Sequence, residues 1–299
     1  MTTFAERLGY AADARIVVVH ADDIGMCHAA NTGSFEALAA GPVTCGSLMV
    51  PCPWFTEAAS RACELAGAVD LGVHLTLTAE YPQYRWGPVA GAPAVPSLVD
   101  ANGHFPRSFA ECAAAATPKD ADVELRAQVD RALDSGFDVT HLDSHMGTVF
   151  APQILEVYFQ LARDYRLPLF AVRPNRSLLG LFGLNAHEAK VRKLLDDFES
   201  DGFPVFDSVD LDSLSFAPGE GTAHNKQRIE GLVPGLNYLV CHPASGGDEL
   251  SAIAPEAHCR DFERGFYGGE EGRAALEAAG VVTIGMRVLR DLLRSESGG

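Results

Sequence analysis

Short apolar runs rich in β-branched residues alternate with longer helical stretches along the 299-residue chain. This alternation is typical of βα units around a parallel sheet. It predicts strands at residues 16–20, 43–50, 71–76, 139–142, 169–172, 204–206, 236–241 and 281–284. It predicts helices over residues 29–39, 121–135, 152–165, 187–199 and 260–279. No unit repeats at a fixed period, so we expect an α/β fold: one TIM-barrel-like (β/α) barrel with seven or eight parallel strands, a single domain over residues 1–299.

The predicted helices carry apolar residues every three or four positions, and three of them end at glycines. Gly41, Gly136 and Gly280 suit the left-handed conformation that often closes a helix. In the helix over residues 121–135, the spacing predicts a buried face made of Val123, Ala127, Val129 and Leu133.

Two segments break this pattern. Residues 79–107 are rich in proline and glycine and predict a long loop after the third strand. In a barrel such a loop builds a wall of the active site, and a plain surface insertion is the alternative. Residues 295–299 are of low complexity and predict a frayed tail.

Composition excludes several classes of function. The 40 acidic side chains outnumber the 23 basic ones, which gives a net charge of −17. An acidic surface repels phosphate backbones and anionic lipid, so we expect neither nucleic acid nor a membrane as a partner. No apolar run reaches the roughly 18 to 20 residues that span a bilayer, and the first residues carry no export signal. Seven cysteines at irregular spacing indicate reduced thiols, so we expect a cytoplasmic protein.

Two adjacent carboxylates stand where the first predicted strand ends. Asp22 and Asp23 closely follow residues 16–20, and neighbouring side chains on an extended chain point in different directions, so the two can hold different roles. A helix N-cap beside a solvated neighbour is the alternative interpretation. His74 lies within the apolar third strand, where a hydrogen-bonded core histidine is the alternative to a ligand.

The fourth predicted strand and its end carry polar residues at every second position. His141, Asp143 and His145 therefore share one face, which a hydrophobic core does not accept without partners. Two imidazoles from different strand ends and one carboxylate form a site for a divalent cation that leaves positions for water and substrate. Such a cation polarises an acyl oxygen and lowers the pKa of bound water. The other carboxylate of the Asp22–Asp23 pair is then free to act as a general base.

His242 and Arg173 follow two further predicted strands. His242 lies where a general acid could protonate a leaving group. Arg173 could orient a substrate oxygen, with an ordinary ion pair as the alternative. Cys241 is expected to pack in the core rather than act as a nucleophile. The remaining histidines have no evident partners and are expected to be solvated or structural: His20, His28, His104, His187, His224 and His258.

Five segments occur in an order that resembles a known family. They are residues 21–25 (Ala-Asp-Asp-Ile-Gly), 41–50, 72–78, 140–145 (Thr-His-Leu-Asp-Ser-His) and 241–243 (Cys-His-Pro). Together they resemble the YdjC-like carbohydrate deacetylases. The resemblance implies a TIM-barrel-like fold and one divalent metal held by Asp23, His74 and His145, with Asp22 as the base and His242 as the acid. The chain departs from the family pattern after His145, where residues 146–148 (Met-Gly-Thr) replace further histidines.

The resemblance also implies a reaction, namely removal of an N-acetyl group from an amino sugar or short oligosaccharide with release of acetate. Zinc or magnesium is expected first, and the ligand types also admit nickel, cobalt or manganese. A metal-dependent phosphoesterase is one alternative, although it usually needs more cationic side chains or a second metal. A catalytically inactive sugar-binding protein of the same fold is the other. The expected partner is a small N-acetylated sugar, and a homodimer stays open.

Overall fold

A computed structural model describes residues 3–295, and within them seven strands form one sheet. The strands are Arg15–Ile24 (β1), Cys45–Leu48 (β2), Leu71–Leu75 (β3), Val139–Ser144 (β4), Ser208–Asp210 (β5), Gly235–Cys241 (β6) and Val282–Thr283 (β7). The sheet runs in the order β4-β3-β2-β1-β6-β5, with β7 beside the start of β1, and every pairing is parallel.

Thirteen helices surround this sheet in the described part of the chain. They are Phe4–Arg7 (α1), His28–Ala40 (α2), Phe55–Glu64 (α3), Phe109–Ala115 (α4), Pro118–Asp134 (α5), Leu155–Tyr165 (α6), Arg176–Leu181 (α7), Glu188–Ser200 (α8), Gly221–Glu230 (α9), Asp248–Ile253 (α10), Ala257–Tyr267 (α11), Glu270–Ala278 (α12) and Met286–Ser295 (α13). Among the helices within residues 3–295, none combines the length and apolar character that crossing a membrane requires.

β1 is the central strand of the sheet. Its residues 16–19, Ile-Val-Val-Val, are fully buried, as expected for a parallel strand covered on both faces. Each fully buried aliphatic side chain of this kind contributes about 1.5–3 kcal/mol. The apolar run therefore fixes β1 in the core. Its polar residues Asp22 and Asp23 lie at the edge of the sheet where the carboxyl ends of the strands meet.

Two isolated parallel bridges join the two ends of the sheet. Leu142 of β4 pairs with Leu169, and Val172 pairs with Phe206, just before β5. The path β4, 169–172, 206–210, β6 then leads back to β1, as in the predicted barrel. The prediction of an α/β fold with a parallel sheet of seven strands is confirmed.

Several predicted elements differ from those observed. Residues 169–172 form only the isolated bridges, and the strand predicted at 204–206 lies instead at Ser208–Asp210. The helix predicted over 260–279 is two helices, α11 and α12, with Gly268 and Gly269 between them. Added side chains at these glycines would meet carbonyl oxygens of α11 at 2.4 and 2.5 Å, so the chain turns there in a way that needs glycine.

The buried face predicted for α5 is wrong in part, because, of its four residues, Val129 is fully buried as predicted but two others are not. Val123 and Leu133 are exposed, while Glu124 and Gln128 are fully buried. Glu124 accepts hydrogen bonds from the backbone of residues 89 and 90, and Gln128 bonds to both backbone groups of Thr76. The polar side chains of α5 thus point inward because they form hydrogen bonds with backbone groups that have no partner in a helix or strand ladder. Of the tail predicted at 295–299, Ser295 ends α13 and residues 296–299 lie outside the described part.

The predicted loop over residues 79–107 packs against the strand ends. It contains two short 3-10 turns, Ala92–Ala94 and Pro96–Leu98. Trp86 is almost fully buried and donates a hydrogen bond to the carbonyl of Thr78 at 2.8 Å. The Tyr84 hydroxyl donates to the carbonyl of Met26 at 2.6 Å. These contacts hold the loop over the end of the sheet where the predicted site residues lie.

Candidate active site

The carboxyl ends of the parallel strands meet at one edge of the sheet, where sites of such folds usually form. Asp22 and Asp23 lie near the end of β1, and His74 lies in β3. His145 directly follows β4, and His242 directly follows β6. The structure therefore gathers five of the six predicted site residues at this edge.

Asp23, His74 and His145 lie close together, and we call them the Asp–His–His cluster. Asp23 Oδ1 is 3.4 Å from His74 Nε2 and 3.1 Å from His145 Nδ1. All three residues are buried, and one ligand-type atom from each lies within 4.8 Å of the other two. The arrangement suits a small cation placed among the three side chains.

An irregularity in β1 separates the directions of Asp22 and Asp23. The pairing of β1 with β2 shifts register between Ala21 and Ile24. Asp23 has a φ of +64°, in the left-handed region that few non-glycine residues occupy. Aspartate tolerates this conformation better than bulky residues. The two adjacent carboxylates consequently face different partners, as the sequence predicted.

Each imidazole of the cluster contacts a second carboxylate through the ring nitrogen that does not face Asp23. His74 Nδ1 is 2.9 Å from both oxygens of Asp143 and 3.0 Å from Ser47 Oγ. His145 Nε2 is 3.0 Å from Glu80 in the 79–107 loop. Carboxylates in this outer position orient metal-binding histidines and strengthen them as ligands. The nitrogen of each ring that faces Asp23 is therefore the one available to a metal.

Arg260 of α11 is the buried cation of the site. It donates a 2.7 Å hydrogen bond from Nη1 to Asp23 Oδ2, and it also bonds to Glu256 and to the Tyr81 hydroxyl. Burial alone would raise the pKa of Asp23, but Arg260 and the two imidazoles of the cluster hold it well below its usual range. Asp23 is ionised at neutral pH as a result, and its Oδ1 faces the imidazoles.

The surroundings of both imidazoles favour positive charge. Burial opposes charge on His74, yet Asp143 and Asp22 raise its pKa well above the ordinary value. Burial likewise opposes charge on His145, but Glu80 contributes most to raising its pKa to about 9. An excess of carboxylates around two nitrogen donors is an environment that a divalent cation would neutralise. The donor set and the charge of the cluster therefore fit a metal ion.

Asp22 and His242 face each other beside the Asp–His–His cluster. His242 Nε2 is 3.9 Å from Asp22 Oδ2 and 4.0 Å from Asp23 Oδ2. Ser213 Oγ lies 2.9 Å from His242 Nδ1 and donates to Glu263 at 2.6 Å. When Glu263 is ionised and accepts this hydrogen, Nδ1 of His242 carries a hydrogen and Nε2 is bare. Burial lowers the pKa of His242 to about 4, which makes it neutral at rest.

A cleft of about 280 Å³ opens beside Asp22 and His242. Its walls are mainly apolar, formed by Phe109, Met146, Gly147, Phe170, Leu181, Phe182, Leu211, Tyr238 and Val240 together with Asp143 and Ser144. Two residues of the segment that departs from the family pattern thus lie at the cleft. A side chain at Gly147 would meet Phe182 at 2.2 Å, so this position has no room for a histidine.

Arg173 does not join the site. It forms ion pairs with Glu199 at 2.6 Å and Asp207 at 3.2 Å, and it is not among the residues that line the cleft. The alternative interpretation, an ion pair after a strand, describes its contacts.

His20 is the opposite case, because no partner for it was evident in the sequence. It is fully buried, 2.6 Å from Asp22 and 2.7 Å from His141.

Sequence reasoning also missed Arg260, Glu80, Ser213 and Glu263. Each reaches the site from a helix or loop outside the strands, and its partner in the site is at least 21 positions away in the sequence. Glu80 carried a usable signal, because it follows the third strand closely and opens the long loop. Arg260 lies within one of several charged helices and carried none.

The fold and the site together define a parallel α/β protein with a buried Asp–His–His cluster at its strand ends. The chain matches the model of the YdjC-like protein family over residues 16–278. A carbohydrate deacetylase of Thermus thermophilus is 36% identical over 249 residues, which cover 83% of this chain and 84% of that protein. The chain therefore belongs to the YdjC-like family, as the sequence predicted.

Two further comparisons agree with this membership. A carbohydrate deacetylase of Thermoanaerobacter pseudethanolicus is 26% identical over 250 residues, covering 84% of this chain and 89% of that protein. The crystal structure of an Enterococcus faecalis protein named for cellobiose-phosphate cleavage is similar with a TM-score of 0.76 and 25% identity. The match covers 92% of this chain and 99% of that one.

Proposed function

We propose that this protein is a metal-dependent hydrolase that removes an N-acetyl group from an amino sugar or short oligosaccharide and releases acetate. The observation that carries the proposal is the buried Asp–His–His cluster beside Asp22 and His242, at the edge of a cleft. The relatives named as carbohydrate deacetylases support the same reaction. All seven cysteines are free thiols, which agrees with action in the cytoplasm.

Asp23, His74 and His145 would hold one divalent cation. When bound, such an ion polarises the acyl oxygen and lowers the pKa of a bound water. Mixed nitrogen and oxygen donors suit zinc, and magnesium is the second choice, with nickel, cobalt and manganese also compatible with these ligand types. Asp143 and Glu80 orient the two imidazoles, and Arg260 fixes Asp23.

Asp22 and His242 move the proton. Asp22 Oδ2 faces the site and takes a proton from the attacking water, whose oxygen joins the acetyl carbon as the C–N bond breaks. His242 is neutral at rest with Nε2 bare, so it can accept that proton across the 3.9 Å gap from Asp22 and pass it to the departing amine. Acetate and a free amino group are the products.

Replacing Asp22 by Asn tests the proposal. We expect Asp22→Asn to lower acetate release by about 10²- to 10⁴-fold, because the base is lost. Metal content should stay at that of the unmodified protein, since Asp22 is not one of the three ligands. Asp134→Asn, a change on the exposed face of α5, is the matched control. Full activity in Asp22→Asn contradicts the assignment of the base.

The two rival functions are tested in the same assay. Within the described residues, the cleft is lined by no arginine or lysine that could neutralise a phosphate. We therefore expect acetate from N-acetylated sugars and no phosphate from phosphorylated ones. Sugar binding without acetate release, with each of the five metals tried, would instead indicate an inactive binding protein.

A further inference from the structure

A chain of buried hydrogen bonds runs from Asp22 into the core. Asp22 Oδ1 is 2.6 Å from His20 Nδ1, and His20 Nε2 is 2.7 Å from His141 Nε2. His141 Nδ1 is 2.9 Å from Thr140 Oγ1, which donates to Asp70 Oδ1 in a short contact. His20, His141 and Thr140 are fully buried. Four contacts thus link the candidate base to the carboxylate of Asp70, directly before β3.

The number of hydrogens available limits how the groups in this series of hydrogen bonds are protonated. Each contact needs one hydrogen, because two bare acceptors do not approach so closely. If Thr140 donates to Asp70, then His141 donates to Thr140 and His20 donates to His141. If the hydrogen bonds run the other way, a protonated Asp70 donates to Thr140, Thr140 donates to His141, and His141 donates to His20. With an ionised Asp22, the hydrogen between His20 Nδ1 and Asp22 Oδ1 lies on Nδ1 in both cases. His20 then carries this one hydrogen when the donors start from Asp70, and it carries hydrogens on both ring nitrogens when Thr140 donates to Asp70.

Burial supports a neutral His141, since it lowers the pKa of His141 well below the ordinary value. A neutral imidazole has one donor and one acceptor nitrogen, as the chain requires in either direction. The other groups near the His20 ring are Asp143, whose Oδ2 is 3.7 Å from Nδ1, Cys45 of β2, and the Tyr238 ring stacked at 5.0 Å.

The same contacts argue against a second metal among His20, Cys45 and His141, whose ligand atoms also lie close together. Two nitrogens bound tetrahedrally to one zinc at about 2.0–2.1 Å lie about 3.3 Å apart. The 2.7 Å between the two Nε2 atoms is instead a hydrogen-bond distance. The cluster is therefore a hydrogen-bonded pair of imidazoles beside a thiol.

We propose that His20 is the positioning residue of Asp22, a role that rests on the proposed function. Its Nδ1–H occupies Asp22 Oδ1 and holds the carboxylate so that Oδ2 alone faces the reacting water. His141, Thr140 and Asp70 keep the His20 ring in place from behind. Asp22 thereby meets the substrate in one orientation instead of rotating between the two oxygens.

Two variants of His20 test this role. His20→Leu removes the donor, so we expect kcat to fall about 10- to 100-fold while KM for an N-acetylated sugar changes less than about twofold. His20→Asn places an amide N–H near the position of Nδ1, and we expect it to restore kcat to within a few-fold of the unmodified protein. Cys45→Ala, which removes a buried neighbour of the His20 ring outside the hydrogen-bond chain, is the matched control and should leave kcat unchanged.

A spectroscopic measurement tests the contact without relying on activity. In protein with ¹⁵N-labelled histidine we expect a downfield proton signal coupled to His20 Nδ1, lost in His20→Asn. An unchanged kcat in His20→Leu, an equal loss in both His20 variants, or the absence of this signal would overturn the role. If Asp22→Asn is inactive and His20→Leu fully active, only the positioning role fails. If Asp22→Asn is active, the proposed base fails, and the proton signal still reports the contact.

Discussion

At the scale of single residues, Gly147 lies beside the cleft with no room for a side chain. Its φ is +64°, and an added Cβ would lie 2.2 Å from Phe182 Cε1. We expect Gly147→Ala to lower the free energy of unfolding by about 2–5 kcal/mol, because a side chain in left-handed backbone costs about 1–2 kcal/mol and overpacking costs about 1–3 kcal/mol. Urea denaturation measures the loss.

Gly219 provides the control for this prediction. Its φ is +90°, and an added Cβ would meet nothing within 4 Å. Gly219→Ala should therefore cost only the backbone part, about 1–2 kcal/mol. An equal loss of stability in the two variants would show that the contact with Phe182 carries no penalty.

The residues that the sequence predicted for the site are those at strand ends. Asp22, Asp23 and His74 stand out because polar side chains within or directly after an apolar strand need a reason to be there. Arg260 could not be found this way, since 237 positions separate it from Asp23 and nothing in its helix marks it. His20 was missed because its partner His141 comes from another strand, and pairing across strands depends on register.

At the scale of secondary-structure elements, α5 fastens β3 and the 79–107 loop through buried side chains. Gln128 accepts from the N–H of Thr76 at 2.9 Å and donates to its carbonyl at 2.7 Å. We expect Gln128→Leu to lower the free energy of unfolding by about 2–4 kcal/mol, because both backbone groups lose their partner in a buried place. The change is measured by urea denaturation.

Gln160→Leu is the matched control, because Gln160 is exposed on α6 and bonds to Asp164. It should change the free energy of unfolding by less than about 0.5 kcal/mol. Should Gln128→Leu be equally mild, the backbone of Thr76 must find other partners, and the fastening role of α5 would be wrong.

Elements whose apolar residues follow a regular pattern were predictable from the sequence. Elements that bury polar side chains or pair through single bridges were not. β1, β3 and β6 follow from their apolar runs, and the ends of α2 and α5 from Gly41 and Gly136, which have positive φ. The inward face of α5 was predicted wrongly in part, because buried Glu124 and Gln128 reverse the usual apolar pattern. Residues 169–172 have strand composition but form only single bridges.

At the scale of the whole molecule, stability depends on pH through Glu263. Burial raises the pKa of Glu263 from 4.5 to about 7, although Arg228, Ser213 and the N–H of His242 act against it. Between these values the folded protein keeps a proton that the unfolded chain releases. The contribution of Glu263 to the free energy of unfolding is therefore full below about pH 4.5 and falls by up to about 3 kcal/mol as the pH rises to 7.

Glu263→Gln tests this dependence, because glutamine binds no proton. Urea unfolding at about pH 5 and about pH 8 should show a smaller decrease with pH in the variant than in the unmodified protein. Glu230→Gln, at an exposed position on α9, should keep the original decrease. Identical pH dependence in all three proteins would contradict a protonated Glu263 in the fold.

The alternation of elements was enough to predict the class of fold, because parallel strands need helical crossovers between them. It could not predict how the sheet closes. Closure depends on the bridges of Leu169 and Val172, which are single contacts between distant segments. The family pattern added the candidate site, since each of its five segments includes the carboxyl end of a strand and the fold brings these ends together.

Those bridges, Leu142–Leu169 and Val172–Phe206, leave the wall between β4 and β5 without a continuous ladder. Phe170 and Leu211 from this stretch face the cleft. Because strand pairing in this wall is limited to two single bridges, insertions and substitutions here would leave the register of β1, which carries Asp22, unchanged. One side of the cleft thereby carries the Asp–His–His cluster on continuous strands, and the other can change its shape without moving that cluster.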